Sequence, residues 1–214
     1  MMVSYSDIEY IETKKILLKE KNIHPDFIEL INFINQEYGL KPINIFYDLI
    51  DNNKTTRINI IFEDYEEANS FRTEYNYDEY KQKIISNKIR DILNKYHKYK
   101  LEKIFVYFSA FKPLAIEEIK SNILNKFKKD AFNCKDIWKI NNFFGITIFF
   151  YTNKQVQEYK NSDLLKLWTN EILNFLKNCD KFNYINKENF YINLESKETI
   201  DNKYDGNLFH YLHG

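Results

Sequence analysis

Glu63, Asp64, Glu66, Glu67, Glu74, Asp78 and Glu79 are the densest run of ionisable side chains in the chain, with Arg72 the one base among them. Seven carboxylates packed this closely can do two kinds of work. Hard oxygens at a strand end can ligate a divalent metal, and an acidic face can steer and hold a basic partner. Acidic residues also favour the first turns of helices, where the helix dipole stabilises them, and two helices are expected to begin here. Metal-dependent nuclease chemistry of the common kind calls for a lysine two residues after a strand carboxylate. Glu63 is followed by Asp64 and Tyr65 instead. The run is therefore assigned to partner binding, with no metal.

Other chemistry finds less support. His210 and His213, with Asp205 upstream, have ligand-type side chains but no third ligand close in sequence. His24 and His97 lack sequence-adjacent partners. Cys134 and Cys179 stand apart, without CxxC or metal-ligand spacing, which fits inert thiols in a reducing compartment. There is no nucleophile elbow, P-loop or dinucleotide turn. Four glycines, Gly39, Gly145, Gly206 and Gly214, are too few for the phosphate-cradling loops that need several close backbone approaches. No catalytic residue or cofactor is assigned. The enzymatic alternative is a metal-dependent nuclease or phosphoesterase whose dispersed site gathers Asp48, Glu63, Asp64 and His210.

Composition narrows the setting. The 214 residues are 44% hydrophobic and 29% charged, a balance that specifies a folded globule without disulfide or metal staples. Thirty-one basic residues offset 31 acidic ones, so no global field draws the chain to nucleic acid or to an anionic membrane. The start, Met1-Met2-Val3-Ser4-Tyr5-Ser6, lacks a basic segment followed by an apolar one, and no run approaches a bilayer span. A cytoplasmic protein is expected.

The elements that would position these residues come in a repeating order. A helix over Ser6 to Glu20, capped by Ser6 with Ile8, Ile11, Leu17 and Leu18 on one face, precedes the repeat. Pro25 opens a helix carrying Phe27, Ile28, Ile31 and Ile34, which ends at Gly39. Ile43 to Ile50 and Arg57 to Glu63 alternate as strands around Asp51-Asn52-Asn53-Lys54. Asp64 with Glu67 forms a capping box for a short helix. Asp78 caps a longer one with Ile84, Ile85, Ile89, Ile92 and Leu93 inward, and Lys103 to Ser109 is a strand.

The order then returns. Pro113 opens a helix with Ile116, Ile119, Ile123 and Phe127. Asp136 to Ile140 and Gly145 to Tyr151 form a hairpin around Asn141-Asn142. Thr152 and Gln155 box a short helix, Ser162 or Asp163 caps a long one bearing Leu164, Leu165, Trp168, Ile172 and Leu176, and Phe190 to Leu194 is a strand. At a spacing of 88 residues Pro25 matches Pro113, and Ile58-Ile60-Phe62 matches Ile146-Ile148-Phe150. The expected fold is α+β: two tandem pseudo-repeats of helix, β-hairpin, helix, helix and strand, with antiparallel-rich sheet and helices mainly on one face. The expected segments are an N-terminal helix to 23, copies over 24–109 and 112–194, and a tail over 195–214. The copies are expected to form one body with a shared sheet of about six strands.

If the matched Ile and Phe residues face the helices, the opposite strand faces carry Phe46, Ile61, Phe105, Tyr107, Phe149, Tyr151 and Tyr191. That face is either covered, by the N-terminal helix and the tail or by packing of the halves, or exposed as an aromatic patch of the kind that anchors protein interfaces. Phe105, Tyr107, Phe149, Tyr151 and Tyr191 accordingly join the seven carboxylates as candidate partner-binding residues.

The order of helix, hairpin, helix and strand, with the closing segment from Tyr191 to Phe209, resembles small cytosolic immunity proteins of bacterial polymorphic toxin systems. That resemblance implies a non-enzymatic protein that neutralises a partner toxin by surface complementarity. Against a nuclease toxin, Glu66, Glu67, Glu74 and Glu79 would mimic phosphates. A third reading is a structural or regulatory module that dimerises through the aromatic face.

Overall fold

In each half of the chain, three strands form a sheet whose third member arrives only after two intervening helices. A computed structural model describes residues 4–127, 132–141, 146–185 and 190–213. It divides into two units, Met1–Ala115 and Ile116–Gly214, with the boundary inside a helix. The expected turn residue Asn142, Gly145 at the start of the expected strand that follows it, and Met1 to Val3 lie outside the described residues.

In the first unit, α1 (Ile8–Leu17) and a short 3-10 turn (Pro25–Phe27) precede α2 (Ile28–Tyr38). Gly39 ends α2 at φ +69°, the left-handed conformation in which lack of a Cβ is an advantage. β1 (Asn44–Ile50) and β2 (Thr55–Phe62) pair antiparallel, and Asp51, Asn52 and Asn53 all take positive φ to close the hairpin. Next come α3 (Tyr65–Asn69), α4 (Glu79–Leu93) and β3 (Ile104–Ala110). β3 pairs parallel to β2, giving the order β1-β2-β3. A strand that returns through a helical crossover enters parallel to the one it left, so the sheet is mixed where an antiparallel-rich one is expected from the sequence.

In the second unit, α5 (Phe111–Lys126) carries the boundary. β4 (Ile137–Asn141), β5 (Ile146–Phe150), α6 (Asn153–Lys160), α7 (Asp163–Cys179) and β6 (Ile192–Ser196) follow. β4 and β5 are antiparallel and β5 and β6 parallel, in the order β4-β5-β6. Two three-stranded mixed sheets thus replace the expected six-stranded one. The tail is α-helical, as α8 (Lys197–Tyr204) and α9 (Leu208–His213), with Ser196 capping α8 through the Thr199 N–H at 2.9 Å.

Four of the capping signals lie where the sequence locates them. Glu67 accepts the Asp64 N–H at 3.1 Å, Asp78 accepts the Lys81 N–H at 3.0 Å, and Thr152 and Gln155 exchange bonds at α6. Ser162 caps α7 through the Leu165 N–H. Each sheet buries one face under its principal helices. Ile58, Ile60, Phe62, Val106 and Phe108 meet Leu30, Ile34, Ile85 and Ile89 in the first unit, whereas Ile146, Ile148 and Phe150 meet Trp168, Ile172 and Leu176 in the second. Two inward assignments are corrected: Ile28 is 48% exposed and Leu164 39% exposed, while Leu30 and Leu173 take the buried positions.

The larger correction concerns α1. It buries Glu9, Tyr10 and Thr13 and turns Ile8 and Ile11 to solvent, the reverse of the apolar face its sequence suggests, and Asp7 rather than Ser6 is its N-cap. The reason is the polar surface beneath it. Asn44, Asp48, Arg57 and Asn59 lie on the strand face opposite the core; α1 answers Asn44 and Arg57 with matching groups, Asp48 pairs with Arg57 within the sheet, and Asn59 accepts from Ser109 of β3 while its Nδ2 is buried without a partner among the described residues. Tyr107 Oη donates to Glu9 at 2.7 Å, Asn44 Nδ2 to Thr13 Oγ1 at 2.9 Å, and Arg57 Nε to Asp48 at 2.7 Å. Arg57 also lies 3.6 Å from Glu9, and Tyr10 stacks on Phe111 at 4.9 Å. Buried polar groups are tolerated when they find partners like these.

Two outcomes follow. Ile31→Ala should lower the unfolding free energy by about 2–5 kcal/mol, and Ile28→Ala on the same helix by less than about 1 kcal/mol, measured by denaturant titration. Burial raises the Glu9 carboxyl above its ordinary value of 4.5, against the opposing pull of Tyr107 and Arg57. A carboxyl that holds its proton more tightly when folded stabilises the fold below its unfolded pKa, and the benefit is lost as pH rises through the folded pKa. Relative to Glu9→Gln, the wild type should therefore lose stability as pH rises above the ordinary carboxylate range. An unchanging difference across that range would contradict this account.

Candidate interaction surface

The acidic run begins just past the end of β2 and continues through α3 and the loop after it into the first turn of α4. Its side chains divide by role. Asp64 is held by Lys112 at 2.7 Å, which raises the lysine's pKa. Glu67 and Asp78 are spent on caps. Glu63, Glu66, Glu74 and Glu79 are exposed. Asp64, Glu67 and Asp78 therefore build the surface, and the exposed four give it charge.

Three tyrosines missed in the sequence complete it. Tyr65, Tyr75 and Tyr80 are 61%, 85% and 75% exposed, each one residue from an exposed Glu or from the Asp64 cap. The signal was present as Asp-Tyr-Glu, Glu-Tyr and Glu-Tyr, short acidic-aromatic pairs at helix starts and at a loop tip, where side chains cannot reach the core. Tyrosine combines a large apolar ring with a polar tip and only two side-chain torsions to order, which suits it to interfaces.

The loop between α3 and α4 is a miniature hairpin. Arg72 and Tyr77 form a bridge, and the Thr73 N–H donates to the Asn76 carbonyl at 2.7 Å, which puts Glu74 and Tyr75 at the tip. The Arg72 guanidinium lies 4.6 Å from the Tyr77 ring centre, donates to its hydroxyl and reaches the Phe108 carbonyl at 3.5 Å. Beneath it Phe71 is fully buried, stacked on Phe108 at 4.4 Å and on Phe62 at 5.3 Å. The tip is thus mounted on the centre of the core.

The aromatic candidates separate. Phe105, 39% exposed, lies edge-on to Tyr77 at 6.4 Å and so adjoins the acidic hairpin. Tyr107 is 1% exposed under α1, and Phe149 is fully buried with Tyr211 of α9 against it at 5.7 Å. The N-terminal helix and the tail cover the face at these two residues, which offer no surface. Tyr151 and Tyr191 are exposed at opposite ends of the β5–β6 pair, about 20 Å apart by strand rise, and do not form one patch.

The dispersed catalytic set does not assemble within the first unit. Asp48 pairs with Arg57, whose backbone lies five residues, about 17 Å, from the end of β2 at Phe62, beyond which Glu63 and Asp64 follow. Among the described residues no group of three or more His, Cys, Asp or Glu could hold a metal ion, and no helix is long and apolar enough to cross a membrane. His210 and His213 both fall in α9. Compared with known proteins, the chain matches no family model, no curated protein and no solved structure.

Arg72→Ala should loosen the hairpin without unfolding the unit. Hydrogen exchange at the Thr73 amide should speed up about fivefold or more, the equivalent of roughly 1 kcal/mol of local stability. Unchanged exchange would show that Arg72 does not pin the tip.

Proposed function

We propose that the chain is a non-enzymatic protein-binding protein, an immunity or inhibitor protein that neutralises a partner toxin in the cytoplasm of a bacterium through the acidic, tyrosine-bearing surface of its first unit. The observation that carries this reading is the anchored Glu74–Tyr75 tip. An 85% exposed tyrosine beside a carboxylate, braced on a fully buried phenylalanine, has little reason to exist for the fold's own sake. Because the support is ordered before any partner arrives, little entropy is lost on binding. Glu66 and Glu79 extend the charge on either side, so a partner with a basic face, such as a nucleic-acid-cleaving toxin, is the best match.

Charge of this kind works mainly on encounter. Association should be fast at low salt and slow as the screening length falls below about 10 Å. The tyrosines would supply residence time by burying rings in the partner.

The test uses the full chain as bait in a lysate of its native host, followed by binding kinetics with the purified partner. A partner with a basic face is expected. Glu66→Lys with Glu79→Lys should slow association about tenfold or more at low salt, and Tyr75→Ala should speed dissociation by a similar factor. These residues are exposed, so folding should be unaffected. Failure to capture any stable protein partner, or capture through the second unit with these variants silent, would overturn the proposal.

A further inference from the structure

Asn59 stands in the central strand beneath α1, 1% exposed, with only half of its amide accounted for. Ser109 Oγ donates to its Oδ1 at 2.9 Å, whereas its Nδ2 donates to no group among the described residues. A buried amide N–H that lacks an acceptor costs free energy, and native structures seldom leave one in that condition.

Asn59 lines a cavity of about 10 Å³, room for about one water molecule and nothing larger. Glu9 of α1 and Ser109 of β3 line it as well, and Tyr10, Ile61 and Phe111 give it apolar walls that are themselves buried. Glu9 Oε1 accepts from Tyr107, and Oε2 lies 3.6 Å from Arg57, beyond ordinary hydrogen-bond reach. In either protonation state this carboxyl keeps a lone pair to offer, and so does the Ser109 hydroxyl after donating to Asn59. One cavity thus brings together a donor in need of an acceptor and two groups able to accept.

Those groups select their occupant. Nδ2 requires a lone pair, which neither ammonium nor a metal cation has to give. The Glu9 carboxyl requires a proton donor and repels a second anion, which disqualifies chloride. Water meets both demands at the size available. We infer that a single internal water molecule is bound here, accepting from Asn59 Nδ2 and donating to the Glu9 carboxyl and to Ser109 Oγ. It ties α1 to β2 and β3, adding to the direct links of Glu9 with Tyr107 and of Thr13 with Asn44. The helix is therefore seated partly through solvent, and Asn59 is satisfied across a gap that no side chain of α1 spans. The acidic surface takes no part in this site.

Water contacts of the isotope-labelled full chain provide the test. The Asn59 side-chain amide hydrogens should show a magnetic-resonance cross-peak to water with the sign of a molecule that tumbles with the protein. Ser109→Ala should keep that cross-peak, which separates bound water from exchange relayed by the serine hydroxyl. Relaxation dispersion of the solvent should count about one long-lived water more in the wild type than in Asn59→Leu. If Asn59→Leu does not fold, the cross-peaks of the wild type and of Ser109→Ala decide. Absence of the cross-peak at the assigned Asn59 amide, its loss in folded Ser109→Ala, or equal dispersion in the wild type and folded Asn59→Leu would each overturn the inference. A through-hydrogen-bond coupling from the Asn59 amide to the Glu9 carboxyl carbon would do the same, because the side chains would then close the gap themselves.

Discussion

Arg57 organises the side of the first unit that its hydrophobic core does not reach. It sits in the central strand, pairs with Asp48 on one neighbour, lies over the Tyr107 ring on the other, and meets Glu9 of α1 from above. A guanidinium so enclosed is expensive unless carboxylates surround it, and two do. Because the charges lie on the sheet and on α1, the helix can dock in only one rotation. That rotation puts Glu9 and Thr13 inward and leaves Ile8 and Ile16 on the flank.

Much of the architecture was legible because it is written in local chemistry. The capping boxes at Asp64 and Thr152, the Asp51–Lys54 turn and the Gly39 stop each depend on residues within a few positions of one another, and each was located from the sequence. The α1 face was not legible. Ile8, Ile11, Leu17 and Leu18 suggest an apolar stripe, and only the polar strand face formed by Asn44, Arg57 and Asn59, distant in sequence, reverses it. The mixed sheets were missed for the same reason, since the direction of β3 and β6 is decided by crossover rather than by any residue in those strands.

The candidate surface was half legible. Its carboxylates announced themselves by density, but their division into caps and exposed charges depends on which helix each begins. The exposed tyrosines were hidden by abundance: with 17 in the chain, a tyrosine carries little information until its burial is known. Tyr107 and Phe149 show the converse, with aromatic residues that seem poised for a partner and instead serve helices of their own unit.

The parallel third strand sets an order of events during synthesis. β2 ends at Phe62 and β3 begins at Ile104, so one edge of β2 must wait for 42 more residues before its partner exists. At about 5–20 residues per second, that interval is roughly 2–8 s. Through it the hairpin carries Ile58, Ile60, Ile61 and Phe62 beside an unpaired backbone, a pattern that invites pairing with the nascent chains of neighbouring ribosomes. Arg57 and Asn59 interrupt the run at alternate positions. The residues that later seat α1 therefore also protect the chain before α1 has anything to sit on.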